Sequence, residues 1–378
     1  MRALLLALQV LATGQVAAQE TAFSRMVARF SEPGGFFDSD NLVSNETSYL
    51  HVLGAYDSLG VRGGAYIGVG PEQNFSYLAR VKPEIAFIVD IRRDNMLLQL
   101  LFKAMFERAR SRMEFLGLLY GRRPPDDLAM WTDLPLGDLL IRLDETPYDS
   151  TLHARQHAEL MERVTAYGVP LNDEDRSTLR RFHDEFATMG LDIRFSSRGR
   201  PYRFNYPTAR QLYLQTDLEG RPGSYLATED GFRVVRDLER RDRIIPVVGD
   251  LSGPSALKTI GQYLSETGRK VSVFYVSNVE MYLFRQGAFP RFVENVKSLP
   301  YGSNSIMVRS YFGRGGGTHA QAVPGHLSVQ LLQTFKSFFE ITAQGESLSY
   351  YDFVNLGHID LRAPSRPTGT PVPAGPPN

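Results

Sequence analysis

The sequence predicts an α/β domain: a doubly wound, mainly parallel sheet interrupted by a large helical and irregular insertion. Three observations lead there. Short apolar runs of strand length recur along the chain, most of them followed by a segment with helical spacing. The runs are apolar at nearly every position, as strands covered on both faces must be. Their carboxyl ends carry glycines, acids or Ser-Asn, where open α/β sheets meet their ligands.

Each element follows from its residues. GGAYIGVG (63–70) reads as a buried strand ending in a glycine turn. PEQNFSYLAR (71–80) then starts a helix with Pro in its first turn and Phe75 and Leu78 on one face. IAFIVDI (85–91) is a strand with one acid, Asp90, and NMLLQLLFKAMFER (95–108) is a helix apolar around most of its circumference, hence buried. From 121 to about 235 the pattern loosens into Arg/Pro turns and short amphipathic pieces. The clearest helix there runs from Asp173 to Met189, with Leu179, Phe182 and Phe186 at helical spacing. The alternation resumes with strand RIIPVVGD (243–250), a helix over 255–267, strand KVSVFYVSN (270–278) and a helix over 289–296. Strand NSIMVRSYF (304–312) and a Gly-rich loop at 313–317 follow. Leu327 to Ile341 reads as a helix and Ser349 to Asn355 as a final strand.

Composition narrows the function classes. Apolar residues at 43% and charged residues at 22% give a folded chain of ordinary composition. Lys+Arg and Asp+Glu balance at 42 each, so no uniform basic field exists to grip nucleic acid or an anionic membrane. With no cysteine, disulfide frameworks, cysteine nucleophiles and thiolate metal sites are excluded. No G-x-x-x-x-G-K-[ST] and no G-x-S-x-G occurs, which removes P-loop chemistry and the hydrolase nucleophile elbow. His153 and His157 stand four apart but lack the acid of H-E-x-x-H, and their polar surroundings suggest a solvated helix face. Two glycosylation sequons, at Asn45 and Asn74, fall inside the core pattern and read as accidental.

The ends read differently from the middle. Met1-Arg2, an apolar-leaning run to Val16 and the small residues Ala17-Ala18 describe a secretory signal peptide over 1–18, so the expected location is periplasmic or secreted. If the leader does not function, the protein is cytoplasmic. No later run reaches the ~18 apolar residues of a membrane span, and no stable membrane insertion is expected after processing. Residues 19–62 form an N-terminal helical lid segment, 63–362 the α/β domain with its insertion at about 121–235, and 363–378 a Pro-rich disordered tail.

The strand ends gather the candidate site: Gly68 and Gly70, Asp90, Asp250 and Asn278. Asp90 lies 22 residues after Gly68, near the ~20 expected when an acid on the second strand bonds a ribose. A dinucleotide is disfavoured, because Gln73 stands at the third fingerprint glycine and Glu72 would face the pyrophosphate. A neutral or cationic nucleoside meets no such repulsion. Each residue also has a local alternative. Asp90 could cap its turn or pair with Arg92 or Arg93, and Asp250 could cap the helix that follows. Asn278 is a common turn residue, and Ser44 or Asn45 with Glu46 resembles a capping box.

With DSDNLVSNETSY (38–49), GGAYIGVGPEQNF through IVDIRRDN (63–95), IIPVVGD (244–250) and FYVSNVEMYLF (274–284), the chain resembles class I S-adenosylmethionine-dependent methyltransferases. More closely, it resembles an uncharacterised bacterial family with such a Rossmann-like core. The resemblance implies a cofactor, S-adenosylmethionine, with Gly68 and Gly70 at its methionine half, Asp90 at the ribose and Asp250 at the adenine. It places Asn278 in the catalytic loop, with Tyr282 and Glu46 beside the acceptor. Two positions depart from that pattern: Tyr66 replaces the acid before the first glycine, and Glu72 replaces the third glycine. Glu72 would either contact the cofactor's amino group or block the pocket. The reading that follows is a methyltransferase-like protein binding a small-molecule nucleoside and methylating a small or protein acceptor. Its alternative is an exported, non-catalytic binding or scaffolding protein that retains the fold.

Overall fold

The computed structural model describes residues 19–198, 200, 203–313, 319–343 and 348–362. The leader, the Pro-rich tail and most of the Gly313–Gly317 loop lie outside these. At the centre, β1 (Ala65–Gly68) pairs in parallel with β2 (Ile85–Asp90) on one side and, beyond β3 in the chain, with β4 (Val271–Ser277) on the other. β3 (Ile244–Val248) extends the sheet beyond β2, and β5 (Tyr301–Tyr311) extends it beyond β4. β6 (Val329–Thr334) closes the far edge antiparallel to β5. The order is β3-β2-β1-β4-β5-β6, the doubly wound order with its last strand reversed. The order changes direction between β1 and β4, which defines the switch point of the sheet.

Fifteen α-helices surround the sheet among the described residues. In chain order they are α1 (Ala22–Phe30), α2 (Leu53–Ser58), α3 (Gln73–Val81), α4 (Arg93–Arg108) and α5 (Arg112–Tyr120). Next come α6 (Leu136–Glu145), α7 (Ser150–Ala166), α8 (Asp173–Met189), α9 (Ala209–Tyr213) and α10 (Glu229–Arg240). The last five are α11 (Ala256–Glu266), α12 (Val279–Arg285), α13 (Phe289–Lys297), α14 (Phe335–Thr342) and α15 (Tyr350–Val354). Every position of α4 from Asn95 to Phe106 is buried, because α7 and α8 stack on its outer side and α10 returns to pack on it and on α3. α1 packs on β3 and α11, with the Phe30 ring edge-on to Phe87 of β2 and Tyr263 of α11. Asn172 and Asp175 form a capping box that starts α8 where the sequence places it.

Two predicted elements near the carboxyl end are corrected. Residues 327–341 are not one helix: β6 comes first, and Thr334 then caps α14 by accepting from the Ser337 amide. The apolar residues at 331, 332, 335 and 338 mimic a helical face because the strand's inward residues run straight into those of the helix. Residues 349–355 are a helix rather than a strand, started by the Ser349–Asp352 capping box. No helix among the described residues is long and apolar enough to cross a membrane.

Candidate functional site

Residues 31–48 build the most unexpected part of the strand-end region. This extended segment crosses the carboxyl ends of the parallel strands in their order in the sheet. At β3, the Glu32 amide donates to Val248 O at 2.9 Å; past β2, the Gly35 amide donates to Ile91 O at 2.7 Å. A Cβ at Gly35 would stand 2.7 Å from Ile91 Cδ1, so the strap lies directly on the chain beneath it. At β1, Asn41 lies beside Gly70. Beyond the switch point Glu46 reaches β4, β5 and β6, and the Ser48 hydroxyl shares a 2.8 Å hydrogen bond with that of Ser328. Residues 19–62, expected as a helical lid segment, thus hold α1, the strap, a 3₁₀ turn over Tyr49–Val52 and α2.

On the β2–β3 side each acid is matched. Asp90 receives three hydrogen bonds from Arg92: the backbone amide at 2.9 Å, Nε at 3.0 Å and Nη2 at 2.8 Å. Arg92 is buried, and its Nη1 holds the strap by donating to the carbonyls of Ser39 and Asp40, each at 2.6 Å. Asp250 accepts from the amide and hydroxyl of Ser252, at 2.8 and 3.0 Å, closing its own turn. Glu32 does what the sequence suggested for Asp250. It caps α11, accepting from the Ser255 amide (2.9 Å) and hydroxyl (2.8 Å), the Ala256 amide (3.0 Å) and the Asp250 amide (3.0 Å). Burial opposes its charge, but the Ser255 hydroxyl and these amides outweigh it and hold Glu32 below the usual carboxylate range.

At the switch point Glu46 is buried at 2% exposure. It accepts from Tyr275 Oη and Ser310 Oγ, each at 2.5 Å, from Gln330 Nε2 at 2.9 Å and from Ser277 Oγ. All four donors are neutral, and no ion pair reaches Glu46 among the described residues. Ser44 Oγ accepts from the Glu46 amide in a local turn, and the 3₁₀ turn that follows starts only at Tyr49, so the capping-box alternative fails. Tyr275 in turn accepts from Gln73 Nε2 at 3.0 Å. Ser277 has φ 52°, a left-handed conformation unusual for a non-glycine residue, at the end of the central strand.

The glycine turn is occupied from within. A Cβ at Gly68 would fall 2.1 Å from Asn74 Oδ1 and 2.7 Å from Tyr66 Oη, two atoms joined by a 2.7 Å hydrogen bond. On its Cβ side, the space beside Gly68 is therefore filled by Tyr66 and Asn74. Asn74, one of the two sequon asparagines, is buried and braces the turn through the Val69 and Pro71 carbonyls. Gly70 has φ 85°, which only glycine adopts readily. Glu72 is buried at the N-cap of α3 without capping it, its Oε2 has no partner, and burial pushes its carboxyl up to about 8.

Asn278 occupies the N-cap position of α12, half-buried, and the Tyr282 ring stands edge-on to Phe37 of the strap with centroids 5.4 Å apart. Glu280 faces the other way and forms a buried pair with Arg309 at 2.6 Å. The structure thus brings Glu46, Gly70, Glu72 and Asn278 to the switch point and leaves Asp90 and Asp250 engaged on the other side. Gln73, Tyr275, Ser310 and Gln330 are site residues that sequence reasoning did not assign. Polar residues inside apolar strands were the available signal for Ser310, whereas Gln330 was hidden by the mistaken helix. His153 and His157 are buried rather than solvated: His153 bonds Asp184 at 2.8 Å and His157 bonds His183 at 3.1 Å. Burial, reinforced by Arg180, lowers His157 to about 4. No cluster of three potential ligands for a metal exists among the described residues.

No curated protein matches the chain. A family model does, over residues 42–124 and 178–350, roughly two thirds of the chain. The matched segments contain Glu46, the glycine turn, all six strands and most of α8, and they omit the part of the insertion that carries α6 and α7. The chain therefore belongs to the family described as Domain of unknown function (DUF7790).

Proposed function

We propose that the switch-point region binds S-adenosylmethionine or a related cationic nucleoside. The observation that carries this reading is Glu46, a buried carboxylate surrounded by neutral donors at the place where doubly wound sheets receive ligands. A carboxylate in a low-dielectric site attracts a positive ligand strongly when no protein cation competes. The positive φ at Gly70 and the strained Ser277 on either side of the switch point fit the same reading. Methyl transfer would move the methyl group from the sulfonium to an acceptor nucleophile, leaving the sulfur neutral, with Asn278 and Tyr282 orienting the acceptor. The cavity beside Glu72, about 10 Å³, has room for a water and not for a nucleoside, and the strap covers the strand ends, so in this reading residues 31–48 lift to admit the ligand. Titration calorimetry with S-adenosylmethionine and S-adenosylhomocysteine tests the reading. The cationic ligand should bind at least about tenfold tighter, or about 1.4 kcal/mol. No heat from either at millimolar concentration would end it.

A second reading has its own observation. Asp90, Asp250 and Glu32 are all satisfied by protein donors beneath a strap that crosses the parallel strand ends. A non-catalytic binding or scaffolding protein would keep such an arrangement permanently. Absence of nucleoside binding together with slow amide exchange throughout the strap is its expected result.

A further inference from the structure

Behind the glycine turn lies a buried cavity of about 10 Å³, lined by Ser44, Tyr49, Glu72, Gln73, Ser76 and Tyr225 among others. That volume corresponds to one water-sized particle. The polar atoms of its walls are unevenly matched. Glu72 Oε2, Gln73 Oε1 and the Tyr225 hydroxyl are buried without a hydrogen-bond partner. The orientation of Gln73 is fixed: Tyr275 Oη donates to Glu46, so it must accept from Gln73 Nε2, which leaves Oε1 as the unmatched acceptor. The neighbouring hydroxyls do not supply the missing donors. None comes within hydrogen-bond distance of Glu72 Oε2 or Gln73 Oε1: Tyr49 Oη donates to Leu212 O at 3.0 Å, and Ser44 and Ser76 Oγ accept from the Glu46 and Tyr225 amides and keep a lone pair each. No ion pair reaches Glu72 among the described residues, and it is 3% exposed.

A buried carboxylate, an amide oxygen and hydroxyl oxygens around one water-sized space call for a guest that is positive or rich in donors. A divalent ion is a poor fit, since it needs six or more oxygens, usually with several carboxylates or waters. We propose that this cavity binds one monovalent cation of ammonium or potassium size, held by Glu72, the Gln73 side-chain oxygen and the Ser44, Ser76 and Tyr225 hydroxyls. The site stands whether or not a nucleoside binds at the switch point. Its consequence is mechanical: Ser44 belongs to the strap and Glu72 to the turn after β1, so the cation fastens one to the other.

The cation competes with a proton, because burial holds Glu72 at about 8. The other titratable groups facing it are Tyr49, Tyr120 of α5, Tyr213 of α9 and Tyr225, and burial raises all four, so they stay neutral across the range. Cation affinity should therefore rise with pH until Glu72 is ionised.

Thermal unfolding of the full chain in potassium, ammonium and tetramethylammonium chloride at equal ionic strength tests this. At about pH 9 the Tm should be higher by about 2–4 °C in potassium or ammonium than in the bulky cation, a stabilisation that follows from binding to the native state alone. The difference should vanish near pH 6 and in Glu72→Gln, and the relative effects of potassium and ammonium identify which ion is preferred. Equal Tm values in the three salts at about pH 9 would overturn the proposal. If Glu72→Gln does not fold, calorimetry of the wild-type chain with potassium and ammonium chlorides near pH 7 replaces it. Heat that depends on the buffer's ionisation enthalpy, from release of the Glu72 proton, supports the site; buffer-independent heat or none overturns it.

Discussion

Under the strap at β2 and β3, Asp90 meets the Arg92 guanidinium, Asp250 meets Ser252, and Glu32 meets the first amides of α11. Across the switch point Glu46 meets only neutral hydroxyls and an amide, and Glu72 Oε2 meets nothing. Both sides present acids at strand ends, half-buried on the first and buried on the second. On the first the protein has supplied the counter-charge or the aligned amides, which makes the acids structural. On the second, Glu46 is held by four neutral donors and Glu72 Oε2 by none, and no ion pair reaches either acid among the described residues. An acid at a strand end is therefore a poor guide to a ligand until its partners are known.

The largest effect should come from breaking the matched side. Arg92→Ala strands Asp90 and releases the Ser39 and Asp40 carbonyls, and should cost about 3–5 kcal/mol in denaturant-induced unfolding. A loss below about 1 kcal/mol would show that the pair does not hold the strap. Glu46→Gln, on the unmatched side, removes charge while keeping shape. It should cost about 1–2 kcal/mol because the four donors can only partly reorient. A cost as large as that of Arg92→Ala would place Glu46 in the structural class. Glu32→Ala removes a cap and should cost about 1 kcal/mol, with faster amide exchange at Glu32 and Gly35 as the local signature. Unchanged exchange there would separate the cap from the strap.

The two sides also predict opposite pH slopes. Glu72 is raised from 4.5 to about 8 by burial, so its folded form holds a proton that the unfolded chain gives up. Stability from this group is present below about 4.5 and declines as pH rises through about 8. In Glu32 the Ser255 and backbone hydrogen bonds overcome burial, and in Asp40 those of Arg181 and Arg198 do. Both are lowered, so their contribution is present above the unfolded values of 4.5 and 3.8 and is lost on acidification below them. Unfolding midpoints across pH for wild type, Glu72→Gln and Glu32→Gln should show the alkaline decline flattened in the first variant and the acid decline reduced in the second.

Much of the sheet was legible because buried parallel strands leave continuous apolar runs, and IAFIVDI and KVSVFYVSN read directly as β2 and β4. β6 was not, because an edge strand that feeds a helix without a turn merges two periodicities. The strand ends were legible in position, but the partners of their acids were not. The spacing of Gly68 and Asp90 reports a βαβ unit, which any such unit satisfies, and Arg92 two residues later decides what Asp90 does. The strap could not be read at all. Its 18 residues have neither period, and their placement depends on contacts with residues up to 284 positions away, such as Gln330.

The central claim is that the ligand-binding acid lies on the unmatched side of the switch point. Calorimetry of S-adenosylmethionine with wild type, Glu46→Gln and Asp250→Asn tests it most directly, since Asn can keep the Asp250 turn. The account predicts that Asp250→Asn binds as wild type does and that Glu46→Gln loses at least about tenfold in affinity. Retained binding in Glu46→Gln with loss in Asp250→Asn would contradict it.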